Sequence, residues 1–312
     1  MGLFSELKLA VPWGHIAAKA WGSPKGRPVL CLHGWLDNAN SFDRLIPLLP
    51  RDLYYVAMDF RGHGLSSHFG PGLCCHFQNF VSETRRVVEA LKWKRFSILG
   101  HSFGGFVGGM FSCVFPEMVD ELIMLDSLPF ALDTNEVDNL LTYKRKAIEH
   151  TLQLDAAAKK PPRVLSLEET LQRLLKANTQ LGEECGKILL QRGTTRVATG
   201  VVMNRDRRMD LMNSRQVLPT TEAHTLRSVF CMLTQGPELV AVPASGVVKV
   251  PGGKAVLRER PCRAPGLTHV TLQAAMCSSI AWNSSAENGL SSSSRSCRPV
   301  SSSSKHCKDI TM

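Results

Sequence analysis

The segment that most constrains the fold of this chain is RFSILGHSFGGFVGGMF, at residues 95–111. Its centre is a G-x-S-x-G pentapeptide built around Ser102. The apolar run at 96–99 predicts a buried strand, and the small and large apolar residues at 103–115 predict a closely packed helix. Strand, sharp turn and helix form the context that lifts a nucleophilic serine above a sheet, and glycines are needed there because side chains would collide with neighbouring elements. A bare G-x-S-x-G also occurs by chance in many chains, so the surrounding segments must support this interpretation.

A second segment, PVLCLHGW at 28–35, predicts a strand that runs into a polar loop. A loop of this kind must supply one of two backbone N–H groups that stabilise an oxyanion next to a nucleophile elbow. The sequence predicts Phe103, which follows the serine, and Trp35 as these donors. We interpret His33 as a residue that orients the loop, not as a base. An ordinary strand-to-loop transition is the alternative for the segment as a whole.

A third segment, YYVAMDFRGHGLS at 54–66, predicts another buried strand that ends in a glycine-containing turn. Asp59 and His63 have the side chains of an acid and a base. Polar residues in such turns usually satisfy backbone groups, so we predict structural roles for both.

Strands and helices alternate along the first part of the chain, which favours an α/β fold with a mostly parallel, doubly wound sheet. The expected elements are a hairpin over 7–11 and 15–21, strands at 29–32, 54–58, 96–99 and 122–126, and helices over 41–49, 77–93 and 103–115.

The motifs HGW, DFRGHG and GHSFGG, in that order, resemble the α/β-hydrolase superfamily. The longer phrases HGWLDNANSFDRLIPLLP, LGHSFGG and QRGTTRVATG are similar to one branch, the serine hydrolase-like proteins, over about residues 3–210. The resemblance implies the α/β-hydrolase fold, a helical cap inserted after the sixth strand, and hydrolysis of an ester-like or acyl bond through Ser102. A relative with an aspartate nucleophile is disfavoured because residue 102 is serine.

These features divide the chain into a core at 1–126, a cap region at 127–211 and a divergent segment at 212–312. Ser166 and Glu169 have the spacing of a capping box at the start of a cap helix. A cap would cover the nucleophile and shape an apolar pocket, although such helices can also serve packing alone.

The divergent segment does not provide a clear catalytic histidine. The resemblance implies the order serine, acid, histidine, with the histidine after the last strand. The downstream histidines lack that context, and His269 is the least unfavourable of His224, His269 and His306. Asp126 ends the sixth strand, where some α/β-hydrolases carry the acid. It could equally be a residue that caps the following loop.

The last strands of the fold are expected to be missing or replaced, which would leave an exposed edge on the sixth strand. A hairpin at 247–257 and a strand at 267–272 are weaker predictions. Between residues 278 and 304, 13 of 27 residues are serine, a composition that predicts disorder.

Two functions therefore stay open from the sequence. One is an active serine hydrolase. The other is a truncated or alternatively spliced variant that lacks activity and either binds a ligand or has no function of its own.

Composition excludes several other classes. The net charge of +10 is diffuse, with 26 basic against 22 acidic residues at 1–211 and 11 against 5 at 212–312, and no basic run is interleaved with aromatics, so nucleic-acid binding is not predicted. The ten cysteines show no C-x-x-C spacing, which favours reduced thiols over disulfides or zinc. No cofactor, metal or nucleotide site is evident, and no apolar run reaches the length of a membrane span. The expected partner is a small acyl or ester substrate, and the oligomeric state is not predicted.

Without a signal peptide, the expected location is cytoplasmic. The resemblance alone implies an association with peroxisomes, and the chain has no S-K-L-type tail.

Overall fold

A seven-stranded sheet forms the centre of the structure, a computed structural model that describes residues 4–70, 77–127, 161–211, parts of 141–159 and a strand at 238–242. The nine strands are β1 (Phe4–Val11), β2 (Gly14–Trp21), β3 (Arg27–Leu32), β4 (Leu53–Met58), β5 (Phe96–His101), β6 (Val119–Leu125), β7 (Thr194–Val197), β8 (Gly200–Met203) and β9 (Glu238–Val242). The sheet order is β1-β2-β4-β3-β5-β6-β9, and β7 pairs separately with β8. All pairs from β4 to β9 are parallel, so the predicted α/β fold with a mostly parallel sheet is confirmed.

Two layers cover the faces of the sheet because alternate strand residues point to opposite sides. Among the described residues, the helices used below are α1 (Phe77–Ala90), α2 (Phe103–Val114), α3 (Leu167–Ala177), α4 (Glu183–Gly193) and α5 (Arg207–Leu211). Leu30 and Ile98 belong to the core cluster shared with α1 and α2. Cys31 and Leu99, one position further along, pack with Phe42 on the opposite face.

The helix predicted over 41–49 is wrong. Two short 3-10 turns occupy this stretch, at Ala39–Phe42 and Ile46–Leu48. The first turn begins early because the Asn38 side chain accepts a hydrogen bond from the Asn40 N–H. Pro47 lacks the N–H that an α-helix would need at this position, and its ring would clash with the preceding turn.

The last strands are expected to be missing or replaced, and at β6 the structure shows a replacement, so β6 does not have the exposed edge expected without them. β9 comes from the divergent segment and pairs in parallel with β6, with Leu122 opposite Leu239 and Leu125 opposite Val242. The segment therefore supplies a replacement strand at the position where the sheet would otherwise stop. The weaker predictions at 247–257, 267–272 and 278–304 lie outside the described residues.

Residues in the stretch predicted to be a cap form a small apolar cluster of their own. Ser166 and Glu169 make the predicted capping box at the start of α3, with both reciprocal bonds present. Leu181, Ile188 and Leu189 pack with residues of α3 in a separate apolar cluster. The β7–β8 hairpin was not predicted, and its Thr- and Val-rich sequence is typical of paired strands. Among the residues that the structure describes, no helix is both long enough and apolar enough to cross a membrane.

Candidate active site

The predicted site residues lie together at the carboxyl ends of three neighbouring parallel strands. Leu32 of β3 pairs with Gly100 of β5, and His101 of β5 pairs with Leu125 of β6. Ser102 and Asp126 directly follow these pairs and Trp35 lies three residues after Leu32, so the register of the sheet brings all three backbones to one edge. Ligand sites of open α/β sheets are usually found at this edge.

Ser102 occupies a strained turn between β5 and α2. Its backbone angles are φ 48° and ψ −116°, in a region that residues other than glycine rarely adopt. The Ser102 N–H donates to the Leu125 carbonyl at 3.0 Å, which continues the β5–β6 ladder by one residue. The Gly105 and Phe106 N–H groups then donate to the Ser102 carbonyl at 3.0 and 3.2 Å, so α2 starts immediately.

The two glycines of the pentapeptide are required by close backbone approaches. A Cβ at Gly100 would lie 2.5 Å from Gly105 Cα and 2.6 Å from the Gly104 oxygen. A Cβ at Gly104 would collide with the Leu32 carbonyl and lie 2.7 Å from the His33 oxygen. Real Cβ atoms do not tolerate such distances to backbone, so the elbow can form only with glycine at both positions.

The loop that carries Trp35 lies directly against the elbow. A Cβ at Gly34 would be 2.9 Å from His101 Nδ1 and 3.0 Å from Asp37 Oδ2, and the Trp35 and Phe103 rings are 5.0 Å apart. Phe103 is the first residue of α2, where N–H groups have no partner within the helix. The Trp35 loop and the first turn of α2 are therefore in close contact.

Asp126 directly follows β6, beside Ser102, and is half-buried. Its φ of 46° is the left-handed conformation, which turns the chain sharply away from the strand. The next residue, Ser127, donates its hydroxyl to the Ser102 carbonyl at 2.7 Å. The end of β6 is thus tied to the elbow through both backbone and side chain.

His33 has the orienting role that the sequence predicts. Its Nε2 accepts from the Phe60 N–H at 3.0 Å, which leaves the proton on Nδ1, where it is donated to the Gly34 carbonyl at 2.7 Å. Burial lowers the pKa of His33 to about 3, so the ring is neutral at physiological pH.

The two other buried histidines near the elbow are also neutral. Burial lowers the pKa of His63 to about 3 and that of His101 to about 4. His63 Nδ1 lies 3.1 Å from the Arg61 carbonyl, in the turn where the sequence predicts a structural role. His224, His269 and His306 lie outside the described residues.

Asp59 also has the structural role predicted for it. Its carboxylate accepts from the Ala39 N–H at 2.7 Å and the Leu65 N–H at 2.8 Å. It also binds Arg192 of α4, whose Nε lies 2.8 Å from Asp59 Oδ2. The sequence analysis does not predict a role for Arg192. This residue lies in the phrase QRGTTRVATG, which carries part of the family resemblance.

Comparison with known proteins agrees with this geometry. A family model described as the alpha/beta hydrolase fold matches residues 27–211, and the chain belongs to that family. Human serine hydrolase-like protein 2 is 72% identical over 208 residues, which cover 67% of this chain and 66% of the relative. The serine hydrolase-like protein of Mus musculus is 68% identical over 209 residues, covering 67% of each chain. The chain thus matches about two thirds of the length of these relatives, and the resemblance seen in the motifs is confirmed.

A solved structure gives the same fold. The hypothetical protein from Pseudomonas aeruginosa PAO1 is 33% identical, with a TM-score of 0.65 over 76% of this chain and 80% of its own.

Proposed function

We propose that this protein is a serine hydrolase that cleaves a small ester, thioester or similar acyl compound with Ser102 as its nucleophile. The observation that carries the proposal is the positive φ of Ser102 at the junction of β5 and α2. Strain of this kind persists where the surrounding structure imposes it, and it is concentrated at active sites. The names of the serine hydrolase-like relatives are consistent with this assignment.

Each residue of the site would have a distinct role. The Ser102 oxygen would attack the acyl carbon, and the leaving alcohol or thiol would depart before water released the acyl group. The N–H groups of Trp35 and Phe103 would bind the oxyanion, an effect of about 3 kcal/mol per donor. Asp126 would be the acid that orients the base. Of the candidates for that base, His224, His269 and His306 remain predictions.

The alternative is a protein without catalytic activity that binds a ligand at the Ser102 site. The observation that favours it is that the described histidines nearest the elbow, His33, His63 and His101, are buried, and both ring nitrogens of His33 are bonded to the backbone. Burial also lowers the pKa of each ring, which weakens it as a proton acceptor. Loss of the base from a serine triad lowers turnover about a million-fold.

We also propose that the chain is divided into a core at 1–126, a cap at 127–211 and a divergent segment at 212–312. The disorder predicted from the composition of 278–304 is part of this proposal. A cytoplasmic location, with the association with peroxisomes that the resemblance implies, also stays a prediction.

The proposal is tested by turnover of p-nitrophenyl esters and acyl thioesters. Ser102→Ala is compared with Ser97→Ala, a matched change five residues earlier, on β5. We expect wild type and Ser97→Ala to hydrolyse equally, and Ser102→Ala to lose about a thousandfold or more. Equal turnover by Ser102→Ala would show that the nucleophile lies elsewhere. A folded wild type that binds these compounds without cleaving them would establish the alternative.

A further inference from the structure

We propose that Arg192 is a positioning residue for the oxyanion loop, which we define as residues 33–40. The last turns of α4 would then belong to the catalytic scaffold. The inference rests on the proposed hydrolase function, because the loop matters through the N–H group of Trp35.

A buried ion pair joins α4 to the end of the loop. The Arg192 and Asp59 side chains are 4% and 0% exposed, and Arg192 Nε donates to Asp59 Oδ2 at 2.8 Å. The other carboxylate oxygen, Oδ1, accepts from the Ala39 N–H at 2.7 Å. A guanidinium on α4 therefore fixes a carboxylate that in turn fixes a main-chain amide of the oxyanion loop.

Two side chains of the loop reach back to the same helix. Asn38 Nδ2 donates to the Leu189 carbonyl at 3.0 Å, and Asn40 Nδ2 donates to the Ile188 carbonyl at 2.8 Å. A Cβ at Gly193 would lie 3.3 Å from Asn38 Nδ2, so the helix and the loop are in direct contact. Two direct hydrogen bonds and the bridge through Asp59 therefore join the oxyanion loop to α4, although the two segments lie far apart in the sequence.

The end of α4 is itself held firmly. The Leu190 carbonyl accepts from the Thr194 hydroxyl at 2.7 Å, and the Arg192 carbonyl accepts from Asn204 Nδ2 at 2.9 Å. These bonds satisfy carbonyls that the end of a helix leaves without intrahelical partners. Arg192 Nη1 also donates to both carboxylate oxygens of Glu6 on β1, at 2.8 and 2.9 Å.

The start of α4 is attached differently, through Arg44. Arg44 donates to Cys185 Sγ at 3.2 Å and forms a long, exposed ion pair with Glu184, at 3.6 Å. Exposed ion pairs of this kind contribute little, whereas removing one partner of a buried pair leaves an uncompensated charge. The buried ion pair of the helix therefore lies at the turns that face the oxyanion loop.

The test is hydrogen exchange of the amides at 34–40, measured beside the rate at which a fluorophosphonate labels Ser102. Arg192→Met and Arg192→Lys are the test variants, since lysine keeps the charge and cannot bind Asp59 and Glu6 together in this geometry. Arg196→Met, at an exposed position of β7, is the matched arginine control. Val87→Ala, at a fully buried position of α1, is the control for a general loss of stability.

We expect Arg192→Met to speed exchange at 34–40 about tenfold or more, since a hydrogen bond to a charged group is lost, and to slow labelling. Arg192→Lys should be intermediate, and Arg196→Met should match wild type. Exchange at 34–40 that rises no more than in Val87→Ala, compared at equal global stability, would overturn the proposal. Hydrogen exchange reports on the oxyanion loop even in a protein that has no activity. If the fluorophosphonate does not label the wild type, that result would therefore count against the hydrolase assignment alone.

Discussion

At the scale of single residues, the elbow depends on the absence of side chains at Gly100 and Gly104. Without side chains there, β5 and β3 can approach the first turn of α2. A Cβ atom added at either position would collide with backbone atoms. Backbone cannot rotate aside as the end of a flexible side chain can, so an added methyl group must displace an element.

We predict that Gly104→Ala lowers the free energy of unfolding by about 1–3 kcal/mol and abolishes reactivity of Ser102. Denaturant unfolding measures the first effect. Gly182→Ala is the matched control, since nothing lies within 4 Å of a Cβ there, and its cost should stay under about 1 kcal/mol. Equal losses in the two variants would contradict the steric account of the elbow.

Glu83 on α1 gives a prediction about pH. Burial raises the pKa of Glu83 from 4.5 to about 8, and the positive charges of Arg61 and Arg86 lower it by less. Between these two pH values the folded state binds more protons than the unfolded state, so this residue makes stability fall as pH rises. Above about pH 8 the full cost of the buried charge is present.

We therefore expect Glu83→Gln to gain stability relative to wild type as pH rises from 5 to 8, with little relative change below pH 4.5. Chemical unfolding at several pH values gives the two curves. Parallel curves across this range would show that the Glu83 carboxyl titrates normally.

Candidate site residues could be proposed from the sequence only where a local motif marks them. Ser102 and Phe103 follow from the pentapeptide, and Trp35 follows from the strand that ends in His-Gly. Arg192 could not be found in this way, because its partners Asp59 and Glu6 lie 133 and 186 positions away. Contacts of that span depend on the completed fold and leave no local pattern.

At the scale of elements, α3 owes its start to a local signal. The Ser166 hydroxyl accepts from the Glu169 N–H at 3.0 Å, and the Glu169 carboxylate accepts from the Ser166 N–H at 3.1 Å. Both bonds lie within four residues, which is why the sequence alone predicts them.

We predict that Ser166→Ala destabilises α3 by about 1 kcal/mol and leaves the central sheet unchanged. Hydrogen exchange of the amides at 167–177 measures this directly. Lys176→Ala, an exposed change in the last turn of the same helix, should have a much smaller effect. Faster exchange throughout the sheet would mean that the capping box does more than start this helix.

Other elements were predicted less well, for identifiable reasons. The helix expected at 41–49 fails because apolar spacing takes no account of Pro47 or of the Asn38 cap. The β7–β8 hairpin lies inside a region whose neighbours are helical. The strands β3, β4 and β5 were predicted correctly because buried parallel strands are short apolar runs followed by turn residues.

At the scale of the whole molecule, the sheet is extended by a strand from outside the family match. β9 lies in the segment after residue 211, where the family match stops, and still pairs with β6 over five residues. Its sequence, ELVAV, is too short and too ordinary to be distinguished from other apolar runs. The fit of this run beside β6 becomes visible only in the assembled sheet.

We expect proline substitution in β9 to destabilise the molecule and promote aggregation. The backbone N–H groups of alternate strand residues donate hydrogen bonds to the same neighbouring strand. Leu239 and Val240 are consecutive, so proline at one of these two positions removes an N–H that donates to β6. Denaturant unfolding and light scattering follow the two effects, and the exposed β6 edge is the physical reason for association. If neither variant differs from wild type, β9 contributes nothing to the stability of the fold.

The central claim is that Ser102 is a nucleophile held at a strained elbow. The most direct measurement is labelling of the full chain with a fluorophosphonate, with the adduct located by mass spectrometry and with heat-denatured protein as the control. We expect a single adduct on Ser102 that is absent from Ser102→Ala and from denatured protein. A chain that unfolds cooperatively and carries no adduct, or carries it on another residue, would show that Ser102 is not an activated nucleophile.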